Sequence, residues 1–233
     1  MRNKRLITLI FSGLLLMLAG VFPVSPASAR TEHDEQLWAN FTVIGNVNKF
    51  AYFVEAQPRI GNGISRTQQL LLRPAVGYRL TDTVTAYVGY AHVFLPIENG
   101  RDRNEERIFG QLNWALPKVA GGSGLLRTRI ERRTLSHGED TGWRLRQLVR
   151  YVHPLGNPKH ARPLIQIEGF VALNKTDWGA RDGFDQLRTL VGFEVPLFGR
   201  STMDVGYQNQ TINDPGGRIR MNHTAAFTFW IRP

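Results

Sequence analysis

Arginine and glutamate recur at every second position in two neighbouring stretches of the chain. GLLRTRIERR carries Arg127, Arg129, Glu131 and Arg133 as R-x-R-x-E-x-R, and WRLRQLVRYV carries Arg144, Arg146 and Arg150. Residues two apart share one face of an extended strand. The opposite faces hold Leu126, Thr128 and Ile130, then Trp143, Leu145, Gln147, Val149 and Tyr151. LSHGEDTG between the two runs is turn chemistry, so the region reads as a β-hairpin with one apolar and one densely charged face. Guanidinium and carboxylate groups at this density can neutralise one another as an ion-paired network. Where arginine is in excess they can also hold an anion.

The same alternation elsewhere sets Glu55, Arg59, Arg73, Glu105, Arg107, Glu168, Arg188, Glu194 and Asp204 on polar strand faces. The candidate network is therefore Glu55, Arg59, Arg73, Arg107, Arg127, Arg129, Glu131, Arg144, Arg146, Glu168, Arg188 and Glu194. Inside a narrow barrel, side chains of this length would nearly meet across the lumen and must pair or hold water. A salt-bridged interior is the first expectation, and a path or site for a small anion or acidic ligand the second.

Other chemistries find little support. The six histidines, His33, His92, His137, His153, His160 and His223, lie in different segments without the close spacing of a metal site. Ser136 and Ser201 sit at loop margins, and Ser136 beside His137 does not make an activated nucleophile, because sequence neighbours tend to point apart. The G-x-G at Gly61–Gly63 opens no helix, so it is no phosphate loop. The chain has no cysteine, which rules out disulfides and thiolate sites. No catalytic residue, cofactor or metal is expected, and the chain is not expected to be an enzyme.

The elements that must position the charges are strands. Segments of about eight to fourteen residues alternate between turn signals over 37–44, 49–60, 68–80, 83–94, 105–116, the opening hairpin, 164–173, 184–195, 201–210 and 218–231. Pro74 suggests a bulge or an edge-like position in the third. Short or bland turns (TD, PKVAGGSG, PLFGR) alternate with longer, mostly charged ones (IENGRDRN, LSHGEDTG, KTDWGARDG, TINDPGGR), as in barrels with periplasmic turns and extracellular loops. Tyr78, Tyr90, Trp114, Trp143, Tyr151, Phe193 and Phe229 lie where interfacial girdles would need them. These segments number eleven, yet a bacterial barrel is expected to be even-stranded. The first segment is therefore either not a full wall strand, leaving ten, or one more strand exists, giving twelve.

Residues 1–29 read as a signal peptide for Sec-type export: basic MRNKR, an apolar run from Leu6 to Ala19, and Ala27-Ser28-Ala29 before a polar stretch. Residues 30–233 then form a single β-barrel domain. Residues 1–29 hold Arg2, Lys4 and Arg5 and no acid, so their removal takes the formal charge from +10 to +7. An exported basic chain without a nucleic-acid-binding signature is not expected to meet nucleic acid, and the charge reads as a lumen feature or a match to anionic head groups.

RPAVGYRLTD, VGYAHVF, EERIFGQL, LLRTRIERR, WRLRQLVRYV, QIEGFVALN and GFDQLRTLVGFEV, in this order, resemble the bacterial family catalogued as domain of unknown function 2490. The resemblance runs over essentially the whole chain after residue 29. It implies an outer-membrane-type barrel and brings no catalytic residues. The expected fold is all-β: a closed, antiparallel up-and-down transmembrane β-barrel of about ten to twelve strands. The expected role is an outer-membrane barrel of structural or narrow-pore type. Its partners would be outer-membrane lipid, the barrel-assembly machinery and a small anion or acidic ligand. A lipid-modifying barrel enzyme and a soluble periplasmic barrel that binds an amphiphile are the alternatives.

Overall fold

Alternation governs the backbone from end to end. The computed structural model describes residues 31–157 and 160–233, and the expected signal peptide, residues 1–29, lies outside the described residues. Eleven strands follow in chain order: β1 (Thr31–Val47), β2 (Phe50–Gly61), β3 (Arg66–Arg79), β4 (Val84–Leu95), β5 (Arg103–Val119), β6 (Gly122–Leu135), β7 (Gly142–Val152), β8 (Arg162–Ala172), β9 (Gly183–Pro196), β10 (Thr202–Asp214) and β11 (Arg218–Ile231). Each expected segment coincides with one strand. β1 extends furthest beyond expectation, because the polar TEHDEQ belongs to the wall.

Consecutive strands pair antiparallel and the sheet closes on itself. The closing pair is β1 with β11, and it is parallel, in register from Thr31↔Ile219 to Val43↔Ile231. The expected all-β barrel of ten to twelve strands stands. The even count does not: β1 is a full wall strand, no twelfth exists among the described residues, and one parallel seam accommodates the odd number. Because β1 and β11 run the same way, Thr31 lies at one end of the barrel and the end of β11 at the other.

The connections β2–β3, β4–β5, β6–β7, β8–β9 and β10–β11 gather with Thr31 at what we term the loop end, and the remaining connections gather at the turn end. Pro74 shifts no register, since β3 holds one register with β2 and with β4 on both sides of it, but the pairing with β4 is interrupted at Arg73 and Pro74, between Leu72↔His92 and Ala75↔Gly89. The register shifts lie instead at Arg59/Ile60, Leu116/Val119 and Phe170/Val171.

Pleating sends Phe41, Val54, Leu72, Val76, Val88, Ile108, Ile130, Ile165, Val191 and Tyr207 outward and exposed. Glu55, Arg73, Arg107, Arg129, Glu131, Arg146 and Glu168 turn inward and are buried. The barrel thus inverts the usual distribution of a water-soluble protein, with an apolar exterior and a charged interior. Two small apolar clusters lie inside the turn-end half, and further buried apolar side chains, Trp38, Leu71, Val93 and Phe170 among them, stand between the charges nearer the loop end. Phe53, Ala75 and Phe109 pack with Ile44 and Tyr87, and Val152, Leu164 and Leu190 pack with Ala226.

Candidate functional site

Glu131 is the most densely served carboxylate in the loop-end half. It is 1% exposed on β6 and accepts from Arg144 at 2.7 Å and from Arg146 at 2.6 Å, both on the adjacent β7. Arg146 also reaches across its other flank to Glu168 on β8, at 2.7 Å, where Arg127 of β6 joins at the same distance. Arg146 therefore bridges two carboxylates. Registers Glu131↔Arg144 and Glu168↔Leu148 place both acids one strand away from β7, within reach of its inward arginines.

Arg129 sits between these groups with a different set of partners. Its Nε donates to the Gln111 amide oxygen at 2.7 Å, its Nη1 stays 3.6 Å from Glu131, and its guanidinium lies 4.3 Å from the Phe109 ring. Gly89 makes room for that ring, because a Cβ there would stand 2.3 Å from the Phe109 Cζ. A missing side chain on β4 thus lets an aromatic on β5 support a cation on β6.

The other expected residues fall into three groups. Glu55 and Arg73 form their own pair at 2.7 Å. Arg107 chelates Glu105 at 2.9 and 2.8 Å near the loop end, and Arg133 donates to the same acid. Glu194 lies in the turn-end half with Arg150, at 2.7 Å, and Arg162, while Asp204 accepts from Arg150 at 2.8 Å. Charge-assisted bonds at these distances are the strong kind.

Arg59 and Arg188 stand apart because both bond to amides. Arg59 donates to Gln57 at 3.1 and 2.7 Å and to Gln69 at 2.9 Å. Arg188 donates to Gln186 at 3.4 Å. Both guanidinium groups flank Trp38, at 3.9 Å for Arg59 and 5.0 Å for Arg188. Phe170 takes Arg188 and Arg146 at 4.6 Å each and Arg144 at 5.3 Å. Two of the three register shifts fall beside these groups, at Arg59 and at Phe170, and a bulge re-aims the side chains next to it.

A cavity of about 320 Å³ opens above Trp38 toward the loop end, lined by nine arginines against three carboxylates, Glu105, Asp185 and Asp214. Trp178 of the β8–β9 connection forms part of its lip. That connection is tied to the β6–β7 turn: Asp177 accepts from the Glu139 and Asp140 amides at 2.8 and 3.1 Å, and Asp140 accepts from the Asp177 amide at 2.7 Å. The Glu139 and Asp140 amides hold the Asp177 carboxyl below the ordinary range of an aspartate. A smaller cavity of about 100 Å³ follows below Trp38, then one of about 180 Å³ lined by Phe53, Arg129 and Trp230. A fourth, of about 340 Å³, lies at the turn end. Adjoining cavities share their partitions: Trp38, Arg59 and Arg188, then Glu55, Arg127 and Trp230, then Ile44 and Arg232.

Trp38, Phe109 and Phe170 escaped the reading from charged residues alone. Each nonetheless occupies an inward position of an alternating run, Trp38 between Gln36 and Asn40, Phe109 between Arg107 and Gln111, and Phe170 two residues after Glu168. Ser136 and Ser201 accept from the backbone amides of Asn104 and Arg232. No histidine cluster among the described residues could hold a metal ion.

An uncharacterised protein of Methylorubrum extorquens strain AM1 is 41% identical over 227 residues, covering 96% of this chain and 97% of its own. No solved structure matches the chain. The family model described as protein of unknown function (DUF2490) matches residues 35–222, nearly the whole barrel, and the chain belongs to that family.

Proposed function

We propose that this chain is a non-enzymatic β-barrel of the bacterial outer membrane, exported by way of residues 1–29, with a lumen braced by ion pairs. One observation carries the reading: between the end regions the outward wall positions are predominantly apolar, with a few neutral polar residues such as Thr128 and Gln147, while the buried charges of the wall sit at inward positions. On β3 the outward residues are Leu70, Leu72, Pro74, Val76 and Tyr78, against inward Arg73, and on β5 they include Ile108, Leu112, Trp114 and Leu116 against inward Arg107 and Gln111. In water such a wall would leave a continuous greasy belt exposed, whereas acyl chains would cover it. Closure of the sheet leaves no unpaired edge, which a lipid environment requires. Lipid is thus the partner of the belt, and the alternating Phe227, Phe229 and Ile231 of β11 are the segment offered to the assembly machinery.

The reading is tested by expressing the chain with residues 1–29 in a Gram-negative host. The protein is expected in the outer-membrane fraction, to need detergent for extraction, and to migrate faster on gels before boiling than after. Freely soluble monomer without detergent would overturn it.

A narrow, anion-preferring pore is a second reading, favoured by the file of adjoining cavities from one end to the other. Planar-bilayer recordings would separate it from a sealed barrel. The ion-paired partitions lead us to expect very small conductance, rising when Arg146 or Glu131 is truncated.

A further inference from the structure

The three cavities from the vestibule downward are lined by thirteen arginines, namely 59, 73, 103, 107, 127, 129, 133, 144, 146, 150, 188, 220 and 232, against six carboxylates, 55, 105, 168, 185, 204 and 214. The carboxylates are all claimed: each accepts from at least one guanidinium. The surplus is not spread evenly. Among the arginines of the vestibule that are not exposed, it falls on Arg59 and Arg188, whose donors end on the neutral amides of Gln57, Gln69 and Gln186. Arg59 is only 9% exposed, so its charge is largely removed from water without a counter-charge in contact. Burying a cation in that way is costly, and an anion beside it would relieve the cost.

Three further features make this place a receptor more than an accident of packing. The two guanidinium groups converge on one rigid platform, because Trp38 is itself fixed by its Nε1 donating to Gln36 at 2.8 Å. They border both the 320 Å³ vestibule and the cavity beneath it, so a solute entering from the loop end reaches them directly. Their surroundings add neutral donors, the Gln36, Gln68 and Gln210 amides and Asn222, and each acid bordering the two cavities, Glu168 opposite Arg188 included, is bonded to some other guanidinium. Arg73 and Arg146 also border the partition, but each already carries a carboxylate.

We propose that the vestibule floor is a binding site for a small, freely diffusing dianion, a phosphoryl group or a compact dicarboxylate, held by Arg59 and Arg188 against Trp38. Two planar forks match two negative charges, and each can engage an oxyanion in bidentate fashion. The proposal deepens the lumen reading above and rests on the charges facing inward; it does not depend on which membrane holds the barrel.

The experiment uses the full folded chain in detergent micelles, with inorganic phosphate as the probe. Phosphate is expected to change tryptophan emission saturably, and Trp38→Phe is expected to remove most of that change. Arg59→Gln and Arg188→Gln should each weaken phosphate binding about tenfold, the loss expected for a charged hydrogen-bond pair. Arg132→Gln, on the outward face, should leave it unaltered. Succinate should compete with phosphate, and acetate at equal ionic strength should not. Gel migration before and after boiling checks that each variant is folded, and if Arg59→Gln is not, Arg188→Gln and Trp38→Phe carry the test. No saturable response of the wild type, or wild-type affinity in folded Arg188→Gln, would overturn the proposal. Competition by micellar phosphatidic acid but not by succinate would overturn the soluble source and assign the site to a lipid head group. Recovery of the protein outside the outer membrane would count against the membrane reading and leave this result standing.

Discussion

Arg146 donates to Glu131 across 2.6 Å from the neighbouring strand, and the pair is the junction at which two carboxylates of the lumen are joined. Arg146→Ala removes a partner from Glu131 and from Glu168 together, although Arg144 and Arg127 remain. Glu131→Ala does more harm, because Arg129, Arg144 and Arg146 would then face one another without their shared counter-charge. Breaking a buried pair costs about 3–5 kcal/mol. We expect Arg146→Ala at the lower end of that range and Glu131→Ala at or above its upper end, read from denaturant unfolding in detergent. Arg129→Ala should cost less than either, since Arg129 keeps only a 3.6 Å approach to Glu131. The reverse order would mean that the network is not centred on Arg146.

The parallel seam is the next point of weakness. Parallel pairing is slightly less stable per residue than antiparallel pairing. Here the Phe41 and Phe229 rings stack across it at 5.0 Å, on the outward face. Phe229→Ala should lower stability by about 1 kcal/mol or more from lost pairing and contact. Amide exchange should accelerate first along β1 and β11, and uniform acceleration around the barrel would contradict the assignment.

Gly192 and Gly206 face each other between β9 and β10. A Cβ on Gly206 would stand 2.3 Å from the Val191 carbonyl oxygen, and one on Gly192 would stand 2.2 Å from that of Val205. Backbone cannot yield as a flexible side chain can. Gly206→Val is therefore expected to abolish the heat-modifiable gel form, while Gly169→Ala, where a Cβ meets open space, should preserve it. Normal folding of Gly206→Val would refute the close approach.

Low pH should loosen the clasp between the β6–β7 and β8–β9 connections. Asp177 is held below its ordinary value of 3.8 by the Glu139 amide first and the Asp140 amide next. A depressed folded value means that the clasp contributes above about pH 4 and is lost as pH falls through the lowered value. Exchange protection of the Glu139 and Asp140 amides should fade over that window. Asp177→Asn should flatten the dependence, and an equal pH response in that variant would implicate another group.

Local periodicity made the walls legible. Arg127-x-Arg129-x-Glu131 announces an inward charged face because the side-chain period of a strand is fixed at two. Partner choice was less accessible: Arg129 is two residues from Glu131, yet the closest donors come from Arg144 and Arg146, because cross-strand neighbours lie nearer than same-strand ones. The parallel seam depends on the meeting of the first and last strands, nearly two hundred residues apart, and no local pattern records it. Trp38 and Phe170 are aromatic, which hides them among outward residues until the parity of their own strands is counted.

An even-stranded barrel brings its two chain ends together, so a short linker can join them and new ends can be opened in any hairpin. Here β1 and β11 lie side by side over thirteen residue pairs but point the same way. A linker from Pro233 back to Thr31 would have to travel the height of the wall, roughly 30–40 Å at about 3.3 Å per strand residue and allowing for tilt. Circular permutation, easy in even-stranded relatives of this architecture, is closed to this one unless the linker is itself a twelfth strand.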